Sequence, residues 1–188
     1  MKKLRYLTIF CILIFNFDYH VLFADEKEKI IQKLQKTDSI KFNFIQKNNN
    51  IEEYGSCFLL FPEKLKCIYS NKRKELFISN NQLAIVQKKY NKIYYYPISK
   101  SAFSKILNKD QLINLIKISS MQIVNEQIEL TNKNKNQYKL IILFNKNNYD
   151  LIGWKVKDQF QNNISFLINI ESTNNLFEKK IFKIPKLN

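Results

Sequence analysis

Apolar and polar residues alternate with a period of two along most of this chain, which predicts a mainly β protein. Ile40, Phe42 and Phe44 alternate with polar neighbours, so the first predicted strand has one aromatic face. Similar runs follow, separated by turns rich in Asn, and they give roughly eleven strands in all. The predicted strands cover residues 40–47, the two arms of 55–69, 75–79, 83–87, 90–96, 122–130, 137–144, 150–158, 163–170 and 177–184.

The period changes to that of a helix at the start of the chain. Asp25 is followed three residues later by Glu28, a spacing that resembles a capping box. Ile30, Ile31 and Leu34 then form one apolar stripe among lysines. The pattern predicts an amphipathic helix over residues 25–36.

A helical period appears again between residues 101 and 116. Ser101 can cap a turn that carries Ile106 and Leu107, and Asp110 can cap a second turn that carries Leu112 and Ile116. Both short helices are apolar on one side only. We therefore predict a curved antiparallel sheet, an incomplete and half-open β-barrel, whose apolar concave side is covered by the first helix and by this helical insertion.

The stretch from Gly55 to Tyr69 predicts a β-hairpin that turns around Pro62. Its first arm is apolar on both faces, so one face should pack on a core and the other should line a helix or a ligand. Cys57 and Cys67 lie five positions on either side of the proline. With an odd number of residues in the loop they would face each other and could form a disulfide, whereas a two-residue loop would offset them. The hairpin sequence leaves both possibilities open.

The first 24 residues have the pattern of a secretory signal peptide. Basic residues precede an apolar run from Tyr6 to Phe17, and a cleavage site follows Ala24. A retained membrane anchor is the alternative, although the apolar run is short for a spanning helix. We expect residues 25–188 to form a single exported domain in an oxidising compartment.

Removal of this leader changes the available chemistry. It takes away His20, the only histidine, and so excludes histidine-based triads and histidine metal sites. The remaining carboxylates and cysteines suggest no catalytic residue, cofactor or metal site. The net formal charge falls from +15 to +13. This lysine excess fits either biased composition or a surface for an anionic membrane or an acidic partner.

Several local patterns occur in an order that resembles one known family. They are Phe44-Ile45-Gln46, the hairpin from Gly55 to Tyr69 with Pro62 at its turn, the segment Ile78 to Val86, Tyr96-Pro97-Ile98, the segment Leu151 to Asp158, and Phe182 to Pro185. In this order and behind a signal peptide, they resemble the outer-membrane lipoprotein carriers of the Gram-negative periplasm, the LolA family. The family fold is an incomplete antiparallel β-barrel whose mouth is closed by helices, which agrees with the pattern above.

The resemblance implies a periplasmic carrier without catalytic activity. It implies binding of triacylated lipoproteins, release of cargo from an inner-membrane ABC transporter, and delivery to an outer-membrane receptor. We also expect a monomer that has transient contact with membrane surfaces and none with nucleic acid. The residues expected to line the acyl-chain cavity are Phe42, Phe44, Cys57, Leu59, Phe61, Leu65 and Tyr69 from the sheet, with Ile30, Leu34, Ile106, Leu107, Leu112 and Ile116 from a helical lid.

The sequence departs from the family pattern at several positions. Phe61 stands where the family usually has an Arg that holds the lid, and Cys67 replaces an aromatic residue. Asn80-Asn81 replaces an Asp-Gly turn but retains turn chemistry. These departures leave open how the lid closes, and the sequence does not identify the cargo. An envelope sensor or another lipid-binding module built on the same half-barrel is the alternative function.

Overall fold

The alternating segments form one antiparallel sheet in the computed structural model, which describes residues 17–98, 103–133, 138–158 and 163–186. The strands are β1 (Ser39–Asn48), β2 (Ile51–Leu60), β3 (Lys64–Tyr69), β4 (Lys74–Ser79), β5 (Gln82–Gln87), β6 (Lys92–Pro97), β7 (Ser120–Val124), β8 (Gln127–Lys133), β9 (Tyr138–Asn145), β10 (Leu151–Asp158) and β11 (Asn163–Thr173). The helices of the described residues are α1 (Phe17–Gln35), α2 (Phe103–Leu107) and α3 (Lys109–Ile118), and Lys88–Tyr90 and Lys179–Phe182 form 3-10 turns. Within these ranges, no helix combines the length and the apolar character needed to cross a lipid bilayer.

The order of the strands leaves the sheet open. It runs β6-β5-β4-β3-β2-β1-β11-β10-β9-β8-β7, so the first and last strands are neighbours in the middle. The two edge strands, β6 and β7, do not pair with each other, and the sheet does not close into a barrel. Because α2 and α3 lie between β6 and β7 in the sequence, the helical insertion connects the two free edges. The predicted half-open β-barrel with an inserted helical cover is confirmed.

Strand register separates the sheet into two faces. Phe42 lies opposite Cys57 and Phe44 opposite Gly55, so alternate residues of β1 and β2 share what we call the inner face. Buried apolar side chains of most other strands continue this face, and the apolar stripe of α1 packs against them. The inner face and the helices form one hydrophobic core, because an antiparallel sheet with one apolar face is stable only when that face is covered.

One predicted strand is in fact a hairpin. Residues 122–130 contain the end of β7 and the start of β8, joined at Asn125 and Glu126, whose φ angles are 46° and 61°. Two consecutive left-handed residues make the tight turn whose twist suits a hairpin. The prediction was wrong because Glu is an uncommon residue in such a turn. The apolar residues on either side of the turn therefore have the pattern of a single strand.

The C-terminal segment is not the predicted strand over residues 177–184. It crosses the outer face of the sheet, where the Phe177 ring lies 5.5 Å from Phe58 and 6.3 Å from Phe182, centroid to centroid. Phe182, in the 3-10 turn, is buried. Because β11 already lies between β1 and β10, the chain leaves it in the middle of the sheet, where no free edge can accept another strand.

The start of α3 differs in detail from the prediction. Asn108 is its N-cap, and the Asn108 side-chain oxygen accepts a hydrogen bond from the backbone N–H of Gln111 at 3.0 Å. Asp110, the predicted cap, lies instead in the first turn, where a negative charge interacts favourably with the helix dipole. The other predicted cap, Ser101, falls outside the described residues.

Candidate functional site

The candidate site is the inner face of the sheet together with the helices that cover it. Every predicted cavity residue belongs to this cluster. Twelve of them are buried, and Phe61, at the turn between β2 and β3, is partly buried against the same cluster. The structure thus brings together side chains that are separated by up to 86 positions in the sequence. Their role in binding acyl chains stays a prediction.

The helices occupy the concave side of the sheet in this conformation. Ile106, Leu112 and Ile116 are at most 2% exposed, and the inner-face residues Leu65 and Phe44 are similarly enclosed. The middle of the inner face is therefore enclosed by side chains of the chain itself.

Four aromatic rings form a ladder across the middle of the inner face. The Trp154 and Phe166 rings stack with centroids 4.6 Å apart, and Phe166 stacks on Phe44 at 4.8 Å. Phe44 in turn meets the edge of Tyr69 at 5.1 Å. The ladder joins β10, β11, β1 and β3. The sequence prediction omitted Trp154 and Phe166, because their strands were identified but the pairing of β11 with β1 was not.

Gly55 makes room for this ladder. A Cβ atom at this position would lie 2.7 Å from the Phe44 ring and 2.2 Å from the backbone oxygen of Ile68. Real Cβ atoms do not approach other atoms so closely, and the second neighbour is backbone that cannot rotate away. The glycine therefore lets the Phe44 ring lie flat across the neighbouring strand.

Polar groups surround Tyr69, the last ring of the ladder. The Tyr69 hydroxyl donates a hydrogen bond to the Gln46 side-chain oxygen at 3.1 Å. Burial raises the pKa of the Tyr69 phenol well above its usual range, and the nearby Glu53 carboxylate raises it further. The Lys74 ammonium lies 3.8 Å from the centroid of the Tyr69 ring and pairs with Glu53. The buried phenol is thus neutral and bonded, so it forms the polar boundary of the apolar surface.

The structure contains the disulfide that the sequence left undecided. Three residues separate β2 from β3, so Cys57 lies directly opposite Cys67, and their Cα atoms are 4.1 Å apart. Both cysteines are buried on the inner face. The bond links the two arms of the hairpin beneath the helical cover.

The turn of the same hairpin contacts the junction of α2 and α3. The backbone N–H of Glu63 donates to the carbonyl oxygen of Leu107 at 3.3 Å, and the Asn108 side-chain amide donates to the Glu63 carboxylate at 2.8 Å. The Lys109 ammonium lies 5.3 Å from the centroid of the Phe61 ring. Phe61 stands where the family usually has an Arg, and in this chain Phe61 and Glu63 of the turn contact the helices instead. This contact had no sequence signal, because it depends on where the helical insertion lies.

Polar contacts join the first helix to both ends of α3. The Lys27 ammonium donates to the carbonyl oxygens of Lys117 and Ser119, at 3.0 Å and 2.7 Å, at the end of α3. Lys109, at the start of α3, reaches Asp38 at 3.2 Å, just beyond the end of α1. The two helices are therefore antiparallel. Burial lowers the pKa of Lys27. Its ammonium group bonds the last carbonyl oxygens of α3, which have no partner within the helix and favour a positive charge.

Glu26 anchors α1 to the turn between β9 and β10. It is only 3% exposed and pairs with Lys146 at 2.7 Å. Burial opposes ionisation, but the bonds to Lys146 and Tyr149 outweigh it and lower the pKa of Glu26 below its usual value. The described residues contain no group of three or more His, Cys, Asp or Glu side chains that could hold a metal ion.

Comparison with known proteins supports the resemblance found in the sequence. The family described as outer membrane lipoprotein carrier protein LolA matches residues 35–185. An outer-membrane lipoprotein carrier protein of Francisella tularensis subsp. tularensis (strain WY96-3418) is 29% identical over an alignment of 198 positions, which covers 99% of this chain and 87% of the relative. The protein of that name from subsp. novicida (strain U112) is 28% identical with the same coverage.

Solved structures share the fold at low sequence identity. An uncharacterized conserved protein from Thermus thermophilus superposes with a TM-score of 0.52 and 11% identity, covering 87% of this chain and 94% of that protein. This likeness concerns the fold alone. Because the family match spans most of the chain and the half-barrel with its helical cover agrees with it, the chain belongs to the LolA family of outer membrane lipoprotein carrier proteins.

Proposed function

We propose that this protein is a periplasmic carrier that binds the acyl chains of lipoproteins against the inner face of its sheet. One observation carries the proposal: a continuous apolar surface is covered by helices that belong to a separate insertion and to an N-terminal segment. An acyl chain in water costs about 0.8 kcal/mol per methylene, so a lipoprotein needs a cover to cross an aqueous space. A surface of aliphatic and aromatic side chains can hold such chains without directional bonds and can release them again.

The helices are the lid in this proposal. When they move away, the acyl chains replace their apolar stripes on the inner face, and little apolar surface stays in water. The polar contacts of the lid lie at its ends, at Glu63 with Asn108 and at Lys27 with Ser119. Hydrogen bonds of this kind contribute about 1 kcal/mol each. The lid is thus stable when empty and can be opened by cargo.

Family membership and the chain itself support a route for the cargo. We propose that the cargo comes from an inner-membrane lipoprotein-releasing transporter and goes to an outer-membrane receptor. The N-terminal leader would direct export, and cleavage after Ala24 would leave Asp25 and Glu26 at the start of α1, where acidic residues favour a helix. A buried disulfide suits an oxidising compartment. The proposed cycle has no catalytic step.

A release assay tests the carrier role. Spheroplasts that hold a newly made triacylated lipoprotein and the matched transporter are mixed with the purified processed protein. We expect the lipoprotein to appear in solution as a one-to-one complex. An unacylated version of the same lipoprotein is the control, and we expect it to behave identically with and without the carrier. Absence of the acylated complex would reject the carrier role.

A variant of the lid tests the site itself. Leu112 is a fully buried residue of the lid helix α3. Because an unpaired charge is costly to bury, Leu112→Asp should open the lid and abolish retention of acylated cargo. The control is Asn114→Asp, which adds the same charge at an exposed position of the same helix. Equal retention by both variants would remove the inner face from the binding site.

A further inference from the structure

Four lysines form a group on the outer face of the sheet. In the strand register, Lys157 of β10 lies opposite Lys139 of β9, and Lys139 lies opposite Lys133 of β8. Lys155 is two residues from Lys157 and therefore points to the same face. All four are exposed. We call these residues the lysine row.

Several other lysines have acidic partners. Lys41 pairs with Glu171 at 2.7 Å, and Lys74 and Lys88 also have glutamate partners. In the part of the chain that the structure describes, no member of the lysine row takes part in an ion pair. Like charges placed directly opposite each other on neighbouring strands destabilise a sheet. A lysine-rich composition alone would place lysines on the surface, but it does not explain why three of them face one another.

A cavity of about 510 Å³ lies beside the row. Lys139, Lys155 and Lys157 line it together with Lys47, while Asn163 and Ser165 add neutral hydrogen-bonding groups. Its lining contains no carboxylate. Two acidic side chains lie nearby on the same face: Glu52 pairs with Lys47 at 2.7 Å, and Glu129 accepts a hydrogen bond from Gln122. The cavity therefore offers several cationic donors to a compact anion such as a phosphate group.

Apolar side chains extend the same face toward β2. Ile45 and Tyr54 form a cross-strand pair on the outer face and are 37% and 48% exposed. Lysines next to exposed aliphatic and aromatic side chains suit the boundary between lipid headgroups and acyl chains. An acidic protein partner would need the lysines but not these apolar neighbours.

We propose that the lysine row and its cavity bind the phosphate groups of anionic phospholipids and dock the outer face of the protein on a membrane surface. The C-terminal segment covers the outer face near β3 and β4, whereas the lysine row stays exposed. Docking through the outer face leaves the inner face and its lid directed away from the headgroups. The proposal does not require that the inner face binds acyl chains, so either proposal can fail alone.

Vesicle co-sedimentation tests this docking. The processed protein, purified from cells that express the full chain, is mixed with vesicles of phosphatidylglycerol and phosphatidylcholine or of phosphatidylcholine alone. We expect binding only to the anionic vesicles. Raising the salt from about 0.1 M to about 1 M shortens the screening length from about 10 Å to about 3 Å and should release the protein. Equal binding to both vesicle types would overturn the proposal.

A pair of variants with the same net charge separates this site from general attraction. The first carries Lys133→Gln, Lys139→Gln, Lys155→Gln and Lys157→Gln. The second carries Lys89→Gln, Lys92→Gln, Lys179→Gln and Lys183→Gln, all at exposed positions outside the row. Each lysine near an anionic surface contributes roughly a fivefold change in affinity, so the first variant should bind at least about tenfold more weakly than the second. Equal loss in both variants would mean that only net charge matters and would overturn the proposal.

Inorganic phosphate distinguishes the source of the anion. At constant ionic strength, we expect phosphate at millimolar concentration to leave most of the protein on the anionic vesicles, because a membrane presents many headgroups to several lysines at once. Complete displacement, together with phosphate binding that the first variant lacks, would show a site for free phosphate and overturn membrane docking. Unchanged vesicle binding by the first variant, combined with loss of binding to an acidic protein, would assign the row to a protein partner instead.

Discussion

The inner and outer faces of the sheet are built from alternate residues of the same strands, yet they are covered in different ways. The inner face is continuous and apolar, and it is covered by helices tied down through polar contacts at their ends. The outer face is covered by the C-terminal segment near β3 and β4, through rings such as Phe177 and Phe182, and it carries exposed lysines near β9 and β10.

In the proposed carrier, burial alone does not identify a permanent core. The inner face is as well buried as the core of an ordinary domain, but the helices that share this core with it come from an N-terminal segment and from an insertion between the two edge strands. The lysine row of the outer face is exposed and poorly suited to stability. In both places, residues that do not optimise the stability of the fold indicate where another molecule could bind.

The largest effect should come from filling the space that Gly55 leaves on the inner face. Gly55→Val would press Cβ against the backbone oxygen of Ile68 and against the Phe44 ring, so we expect a loss of about 3 kcal/mol in the free energy of unfolding. Urea denaturation measures it. Ser56→Val, at the next position on the outer face, is the control and should change stability little. Similar losses in both variants would contradict the difference between the faces.

Loss of the disulfide beneath the lid should rank second. Cys57 and Cys67 are separated by 10 positions, and removal of a bond that closes a loop of this size costs about 2 to 3 kcal/mol. Wild-type protein should lose this stability when a reductant is added during urea denaturation. The double variant Cys57→Ala and Cys67→Ala should show no response to reductant. A wild-type curve that reductant leaves unchanged would refute the expectation.

The contact between the hairpin turn and the lid should have a smaller effect. Asn108→Asp keeps an oxygen that can cap α3 but places a carboxylate against Glu63, so the lid should open more often. We expect a loss of about 1 kcal/mol in stability and faster binding of an acyl-chain probe. Asn108→Ser retains a cap without the repulsion and is the control. Equal probe-binding rates for Asp and Ser at this position would rule out the lid contact.

The attachment of α1 should depend on pH. The pKa of Glu26 is lowered in the folded protein, so its contribution to stability is present above its ordinary value of 4.5 and is lost as the pH falls below that. We expect this contribution to be about 1 kcal/mol or less. Unfolding at pH 7 and at pH 4 measures it in wild type and in Glu26→Gln. The variant should show a smaller pH dependence, and an identical pH dependence would exclude Glu26 as the cause.

The smallest effect should be a gain of stability on the outer face. Lys139 lies between Lys133 and Lys157, so Lys139→Glu would replace two repulsive cross-strand contacts with attractive ones. We expect a gain of about 0.5 kcal/mol in the free energy of unfolding, together with weaker vesicle binding. Lys92→Glu on the edge strand β6 is a control with the same charge change. A gain that matches this control would mean that net charge, not register, determines the effect.

Much of the fold could be predicted because local sequence carries the relevant information. The period of two gives the strands, Asn80 and Asn81 give a turn, and Pro62 gives the hairpin turn. The errors arose where local sequence is ambiguous. The turn at Asn125 and Glu126 has the required backbone angles without the usual residues, and the segment after β11 alternates like a strand although it has no edge to join.

The candidate site was predictable as a set of apolar residues but not as an arrangement. Phe42 and Phe44 could be assigned to one face from their spacing alone, whereas Leu59 lies on an arm that is apolar on both faces and needed the register of β1 with β2. Trp154 and Phe166 could not be connected with them, because pairing of β11 with β1 joins segments more than 110 positions apart. Glu63 had no apparent role in the sequence, since its partner Asn108 lies 45 positions away.

The sequence by itself determined most of the strands, the amphipathic helices and the family, because these depend on periodicity and on the order of short motifs. Tertiary structure alone decided which strands are neighbours, that Cys57 faces Cys67, and that lysines from three strands meet on one face. The physical reason is that register and strand order are set by the burial of the whole inner face at once. No single segment contains enough apolar surface to specify its own partners.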